Sequence, residues 1–169
     1  YLADAVDVFF LQIQGSGRVR LAEGGVMRVG YADQTGHPFR SIGRLLVERL
    51  REAEAMGLLA LLLLHESRRL ARVSPDGDLV LLDAQGRTHW DRNLIAEGAA
   101  LVTEALALRR IGPYTLQAAI AAVHASATTS ADTDWAEIVG LYDVLVRVEP
   151  SPVIELNRAV AVAMRDGPE

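Results

Sequence analysis

The sequence predicts a mainly α chain, an array of helical hairpins preceded by a short N-terminal β-hairpin. Three observations predict it. From about residue 42 to the end, apolar residues recur at helical spacing. Only the residues before that alternate with a period of two and carry the glycine punctuation of strands and turns. The later helical stretches run about 12 to 20 residues with short connections, as in antiparallel helical hairpins.

The elements follow in order. Residues 6–14 place Val6, Val8, Phe10, Gln12 and Gln14 on one face and Asp7, Phe9, Leu11 and Ile13 on the other, as in a strand covered on both sides. Gly15-Ser16-Gly17 permits a bulge or a close backbone approach. Residues 18–21 resume the alternation, Glu23-Gly24-Gly25 turns the chain, and residues 26–32 return. An isolated two-stranded hairpin is marginal in water, so Val8, Phe10, Ile13 and Val29 are expected to find cover on the helices. Residues 33–38 read as loop, and Ser41 is placed to cap a helix starting near Ile42.

Residues 52–73 read as a strongly apolar helix with an arginine-rich end, which suits the helix dipole. Arg68, Arg69 and Arg72, with Glu66 beside them, read as a solvated face. Residues 74–78 stop that helix, and residues 79–83 are a strand or a buried extended loop. Residues 91–110 gather Leu94, Ile95, Gly98, Leu101, Val102, Ala105 and Leu106 on one side. Gly112-Pro113 separates them from a helix over 114–127 whose alanines allow close packing. Asp132 caps or precedes a helix over 135–148, Pro150-Ser151-Pro152 follows, and residues 153–164 form the last helix. Together the last two approach the roughly 34 residues of a tetratricopeptide unit, so the array is tetratricopeptide-like.

Composition bounds the function. The 169 residues suit one domain, or a small domain with an appendage, and half are hydrophobic, enough for a core. The formal net charge of -5 is opposite to that of a domain gripping nucleic-acid phosphates. Without cysteine there is no disulfide, thiolate metal site or cysteine nucleophile. The longest apolar run, residues 56–64, is about half of what a membrane span needs. Tyr1-Leu2-Ala3-Asp4 lacks the charge and apolar run of a signal peptide, and a chain opening on Tyr1 reads as a fragment or processed product.

The residues offer no active site. The histidines are His37, His65, His89 and His124, and the fourth residue after His65 is Arg69, so the two-ligand helix face of a zincin is missing. Gly15-Ser16-Gly17 lacks both dinucleotide and P-loop spacing, and residues 76–83 lack the ligand ladder of a calcium loop. There is no Gly-x-Ser-x-Gly elbow, and the acid pairs Asp4/Asp7 and Asp132/Asp134 read as caps and loop acids. The expectation is no catalytic residue, no metal and no cofactor. A helical array without chemistry reads as a binding or regulatory surface.

Two resemblances add to this. VDVFFLQIQGSGRVRL, residues 6–21, followed by MRVGYADQTGHPFRSIGRLL, resembles the membrane-bound lytic murein transglycosylase A family over about residues 6–46. The resemblance implies a piece of a saccharide groove near Gln12, Gln14, Ser16 and Arg18, and contact with peptidoglycan. It also implies inactivity. The family's catalytic aspartate lies downstream in a segment like DTGGAIKG, which has no counterpart here. A lone acid must protonate the glycosidic oxygen and then help close the 1,6-anhydro ring.

GLLALLLLHESRRLARVSPDGDLVLLDAQGRTHWDRNLIAEG, then GPYTLQAAIAAVHA, DTDWAEIVGLYDVL and PSPVIELNRAVAVAM, resembles the C-terminal helical extension of one class of extracytoplasmic-function RNA polymerase sigma factors. This implies a regulatory, protein-interaction domain whose partners are RNA polymerase or sigma-factor regions, without direct DNA contact. Trp90, Asp91 and Arg92 are its interaction-surface candidates, with a packing aromatic and a helix cap as the plainer roles of the first two. The chain therefore reads as a chimera: a transglycosylase-like fragment over 1–46, a junction over 47–56 and a helical domain over 57–169. The helical part points to the cytoplasm, and the transglycosylase part to the periplasm or outer membrane.

Overall fold

The computed structural model describes residues 18–20, 26–28, 43–45, 47–49, 51–72, 80, 82 and 84–167. It is mainly helical. Strand β1 (Arg18–Arg20) pairs antiparallel with β2 (Val26–Arg28), with Arg18 opposite Arg28 and Val19 opposite Met27. The remaining residues of the β region lie outside the described residues, as do Val8, Phe10, Ile13, Val29 and the Ser41 cap. Residues 43–45 and 47–49 are helical.

Helix α1 (Ala53–Ser67) is the central element. Its sequence is apolar nearly all round, so no single stripe can face a core and the whole helix must be surrounded. Ala60 and Leu63 are completely buried. Helices α2 (Arg92–Ala107) and α3 (Pro113–Ser126) both pack on it. Helix α4 (Trp135–Val148) packs on α3, and α5 (Pro152–Asp166) packs on α4. Each hairpin is thus covered by the next.

Helix α3 joins two cores because its faces differ in size. Ala118, Ala119 and Ala125 meet Ala60, Leu61, Leu64 and Trp90 in the first core. Leu116, Ile120 and Val123 meet Ile138, Val139, Tyr142, Leu145 and Ile154 in the second. Small residues let α1 come close, whereas the larger ones fill a wider gap to α4. Asp91 caps α2 by accepting from the Asn93 and Leu94 amides, at 2.9 and 3.2 Å. Proline at the first position opens both α3 and α5, where its missing N–H costs nothing.

The segment before α1 is tied to the helical body. Arg44 forks onto Glu97 of α2, its Nε and Nη2 donating at 3.0 and 2.8 Å. Val47 packs against Ala53, Met56 and Ala105.

Several boundaries differ from the expectation. The helix read over 52–73 ends at Ser67, and Arg69–Ala71 is one 3-10 turn. Arg68 is not part of a solvated face, because it is only 5% exposed; Arg69 is exposed and pairs with Glu66 at 2.9 Å. Asp134, not Asp132, caps α4, accepting from the Glu137 amide at 2.9 Å. Asp132 closes a capping box with Thr129 on the preceding turn, Ser130–Asp132. Two carboxylates two residues apart compete for one helix start, and the side chain three residues before an amide has the reach. Within 79–83 only Val80 and Leu82 are described; Leu82 is buried, and the Val80 amide donates to the Arg72 carbonyl at 2.8 Å.

One tertiary cap has a testable weight. Gly112, at the N-cap of α3, has no side chain to offer the first amides of that helix. Glu54 of α1 serves instead, accepting from the Tyr114 and Thr115 amides at 3.0 and 3.1 Å and from the Thr115 hydroxyl at 2.8 Å. Glu54→Ala is expected to lower stability by about 1–2 kcal/mol, read as a shift of the urea midpoint. Glu54→Gln retains one acceptor oxygen and loses less.

Candidate functional site

The largest assembly of polar side chains inside the helical body sits where α1, the 84–91 loop and the end of α3 converge. Helix α1 ends there because Ser67 donates to the Leu64 carbonyl at 2.7 Å, while its own carbonyl accepts from the Asp91 amide at 2.8 Å. This brings the loop back under the helix end. A 3-10 turn, Arg87–His89, then turns Arg87 and Trp90 inward and leaves His89 on the surface.

Arg87 is a clamp. Its Nη1 donates to the carbonyls of His124 and Ala127, the latter at 3.0 Å, and its Nη2 reaches the Thr133 hydroxyl at 3.4 Å. The last carbonyls of a helix lack intrahelical partners, and a buried cation with five donors meets that need. The guanidinium also lies 4.9 Å from the centre of the Trp90 ring. One side chain therefore fixes the end of α3, the start of the α4 segment and the indole. Arg87→Met, which keeps much of the length and removes every donor, is expected to lower stability by about 2–4 kcal/mol, measured by urea unfolding.

Two imidazoles complete the assembly. His65 lies in α1, and its Nδ1 faces Arg72 Nη2 at 3.0 Å and Arg68 Nη2 at 3.5 Å. Guanidinium nitrogens only donate, so Nδ1 is the acceptor and the ring is neutral with its proton on Nε2. Burial, then the charges of Arg68 and Arg72, hold the His65 pKa well below the usual imidazole value. His124 is likewise buried and stands edge-on to Trp135, with ring centres 5.2 Å apart. Burial first, then Arg68 and Arg87, push its pKa down to about 3.

Between these groups lies a cavity of about 20 Å³ bounded by Leu64, His65, Arg68, Leu82, Trp90 and His124, among others. That volume suits one water molecule and is far below the roughly 300 Å³ of a small-molecule site. The assembly holds three segments together. Among the described residues, no three His, Asp or Glu side chains are placed to hold a metal ion.

The residues singled out by sequence are scattered. Gln12, Gln14 and Ser16 lie outside the described residues, and Arg18 is described only as a backbone position of β1. Trp90 is 4% exposed and packs in the first core, while Asp91 caps α2. Asp91 and Arg92, at the start of α2, are both on the surface. Sequence reasoning passed over Arg87 and Glu54. For Arg87 the signal was an arginine between a loop glycine and a tryptophan; for Glu54 it was a helix start, Gly112-Pro113, with no capping side chain of its own.

Comparison with known proteins gives two family matches. Residues 1–61 match a family described as the MltA specific insert domain. Residues 38–106 match a family of unknown function, DUF6596, so the two matches overlap over 38–61. An uncharacterized protein of Rhizobium meliloti (strain 1021) is 52% identical over 129 residues, covering 76% of this chain and 30% of that protein. The chain thus spans under a third of the length of the curated relative it matches. No solved structure matches.

Proposed function

We propose that the helical part of this chain is a protein-interaction domain without catalysis of its own, serving transcription initiation as the C-terminal extension of an extracytoplasmic-function sigma factor does. Its partners on this reading are RNA polymerase or sigma-factor regions. One observation carries the interaction role: the helical interior turns its polar groups on one another, while the last hairpin keeps large apolar side chains outside. Val144, Val148, Val153, Leu156 and Met164 are 38%, 44%, 40%, 52% and 44% exposed. The ordered resemblance of residues 57–169 supplies the sigma-factor assignment. In this reading residues 1–46 are an appended fragment and 47–56 the junction. The test is capture of core RNA polymerase, and of isolated sigma regions, by the immobilised chain. Binding is expected; its absence where an intact relative binds removes the reading.

A second reading rests on the match of residues 1–61 to the MltA specific insert domain. It makes the chain part of a peptidoglycan lytic transglycosylase, inactive without the missing catalytic aspartate. Incubation with purified murein sacculi is expected to release no 1,6-anhydromuropeptides, and their release would make the enzyme reading the better one.

A further inference from the structure

We infer that the end of the bundle formed by the turn between α4 and α5 is a docking surface for a basic amphipathic helix of a protein partner. The inference rests on the protein-interaction reading above and names the chemistry of the partner. Val144 and Val148 are one turn apart at the end of α4, and Val153 and Leu156 are neighbours in the first turn of α5. Only residues 149–151 separate the two helices, so these four side chains share one end of the molecule. All are exposed. Elsewhere the same helices bury their apolar residues efficiently, with Ile138, Leu145 and Val160 no more than 1% exposed. The exposed residues run on from the core stripes, Val148 three residues after the buried Leu145 and Val153 and Leu156 two turns and one turn before the buried Val160, so the apolar face continues past the cover that the described helices give it.

Charge selects the partner. Around the turn, residues 143–158 hold Asp143, Glu149 and Glu155 against Arg147 and Arg158, three acids to two bases. Both bases are engaged within the hairpin. Arg158 meets Asp143 at 2.5 Å. Arg147 donates to the backbone carbonyl of Asp143 at 2.7 Å. Glu149 and Glu155, both exposed, stand directly beside the apolar residues with no such partner among the described residues. A shallow groove bounded by Asp143, Val146, Glu155 and Arg158 runs along the same hairpin. An apolar patch with an acidic rim favours a helix that presents Leu or Val at i, i+3, i+4 and i+7 and Lys or Arg at its edges.

The test uses the whole 169-residue chain and two labelled synthetic helices of roughly 18 residues. One carries leucine at those spacings with lysine elsewhere; the other has glutamate in place of lysine. Fluorescence anisotropy is expected to show binding of the lysine helix that weakens as salt rises, and none of the glutamate helix. Leu156→Gln combined with Val148→Gln is expected to weaken binding at least ~10-fold, and Glu149→Gln with Glu155→Gln to flatten the salt dependence. These positions are exposed, and thermal melts followed by circular dichroism check that each variant stays folded. Equal binding of both helices, binding indifferent to the variants, or no binding overturns the inference. So does a dimer in sedimentation that Leu156→Gln dissolves, because the surface then belongs to a second copy. Polymerase capture that survives all four substitutions removes this surface while leaving the protein-interaction reading in place.

Discussion

Gly57→Ala is expected to lower stability by about 3 kcal/mol or more, enough to leave a marginal domain unfolded at physiological temperature. A Cβ built on Gly57 stands 2.5 Å from the Thr115 amide nitrogen, 2.7 Å from its Cα and 2.8 Å from the Tyr114 carbonyl carbon. All three are backbone atoms, so no side chain can swing away; α1 and α3 have to part. Parting them also strains the Glu54 cap, whose bonds to the Tyr114 and Thr115 amides cross the same contact. Thr115 has no spare room, being completely buried with its hydroxyl 3.1 Å from the Ala53 carbonyl. Gly98→Ala is the milder neighbour, because its closest obstacle is the Leu64 side chain, at 2.8 Å. Gly140→Ala is the control: nothing lies within 4 Å of that position on α4, so the change is expected to stabilise by up to ~1 kcal/mol through helix propensity alone. Urea unfolding of the three variants checks the order, and a Gly57→Ala protein as stable as the parent refutes the close helix contact.

The same residues show what was legible in the sequence. The helical region was readable because a 3.6-residue period over a dozen positions is a redundant signal. The bounds of α4, Trp135–Val148, follow from Pro150-Ser151-Pro152 on one side and the aspartates on the other. Which aspartate caps was not readable, because that depends on a 3-10 turn and its own capping box. The inward turn of Arg68 and Arg87 was hidden for a different reason. An arginine in a polar stretch is usually solvated, and only the fold shows that helix ends converge there with carbonyls to satisfy. The apolar surface at the α4–α5 turn was equally hidden. Val144 and Leu156 look like core residues in a periodic pattern, and what exposes them is the absence, among the described residues, of another helix on that side.

The second large effect is on pH. Stability is expected to fall steadily as pH drops below about 6.5, well before surface carboxylates titrate. In the unfolded chain both buried histidines take up protons near their ordinary value. In the folded chain His124 resists protonation down to about 3, and His65 titrates well below its ordinary value. The unfolded state therefore binds more protons through this window, and each proton it gains favours unfolding. The stabilisation is complete above pH 6.5 and is lost progressively toward pH 3. By pH 5 an imidazole that stays neutral in the fold, as His124 does, has cost about 2 kcal/mol, and His65 adds to the loss in the same direction, a large share of the stability of a small domain. Geometry enforces this. Protonating His65 Nδ1 sets an N–H against the guanidinium of Arg72, 3.0 Å away. The buried His124 Nδ1 has no hydrogen-bond partner among the described residues. Urea midpoints measured from pH 8 to pH 4.5 are expected to trace the loss, and His124→Phe, which keeps the aromatic contact with Trp135 and removes one titration, is expected to make the slope shallower. A slope unchanged by that substitution places the proton uptake elsewhere. If stability does not vary between pH 7 and pH 5, His65 and His124 are not held neutral in the folded chain.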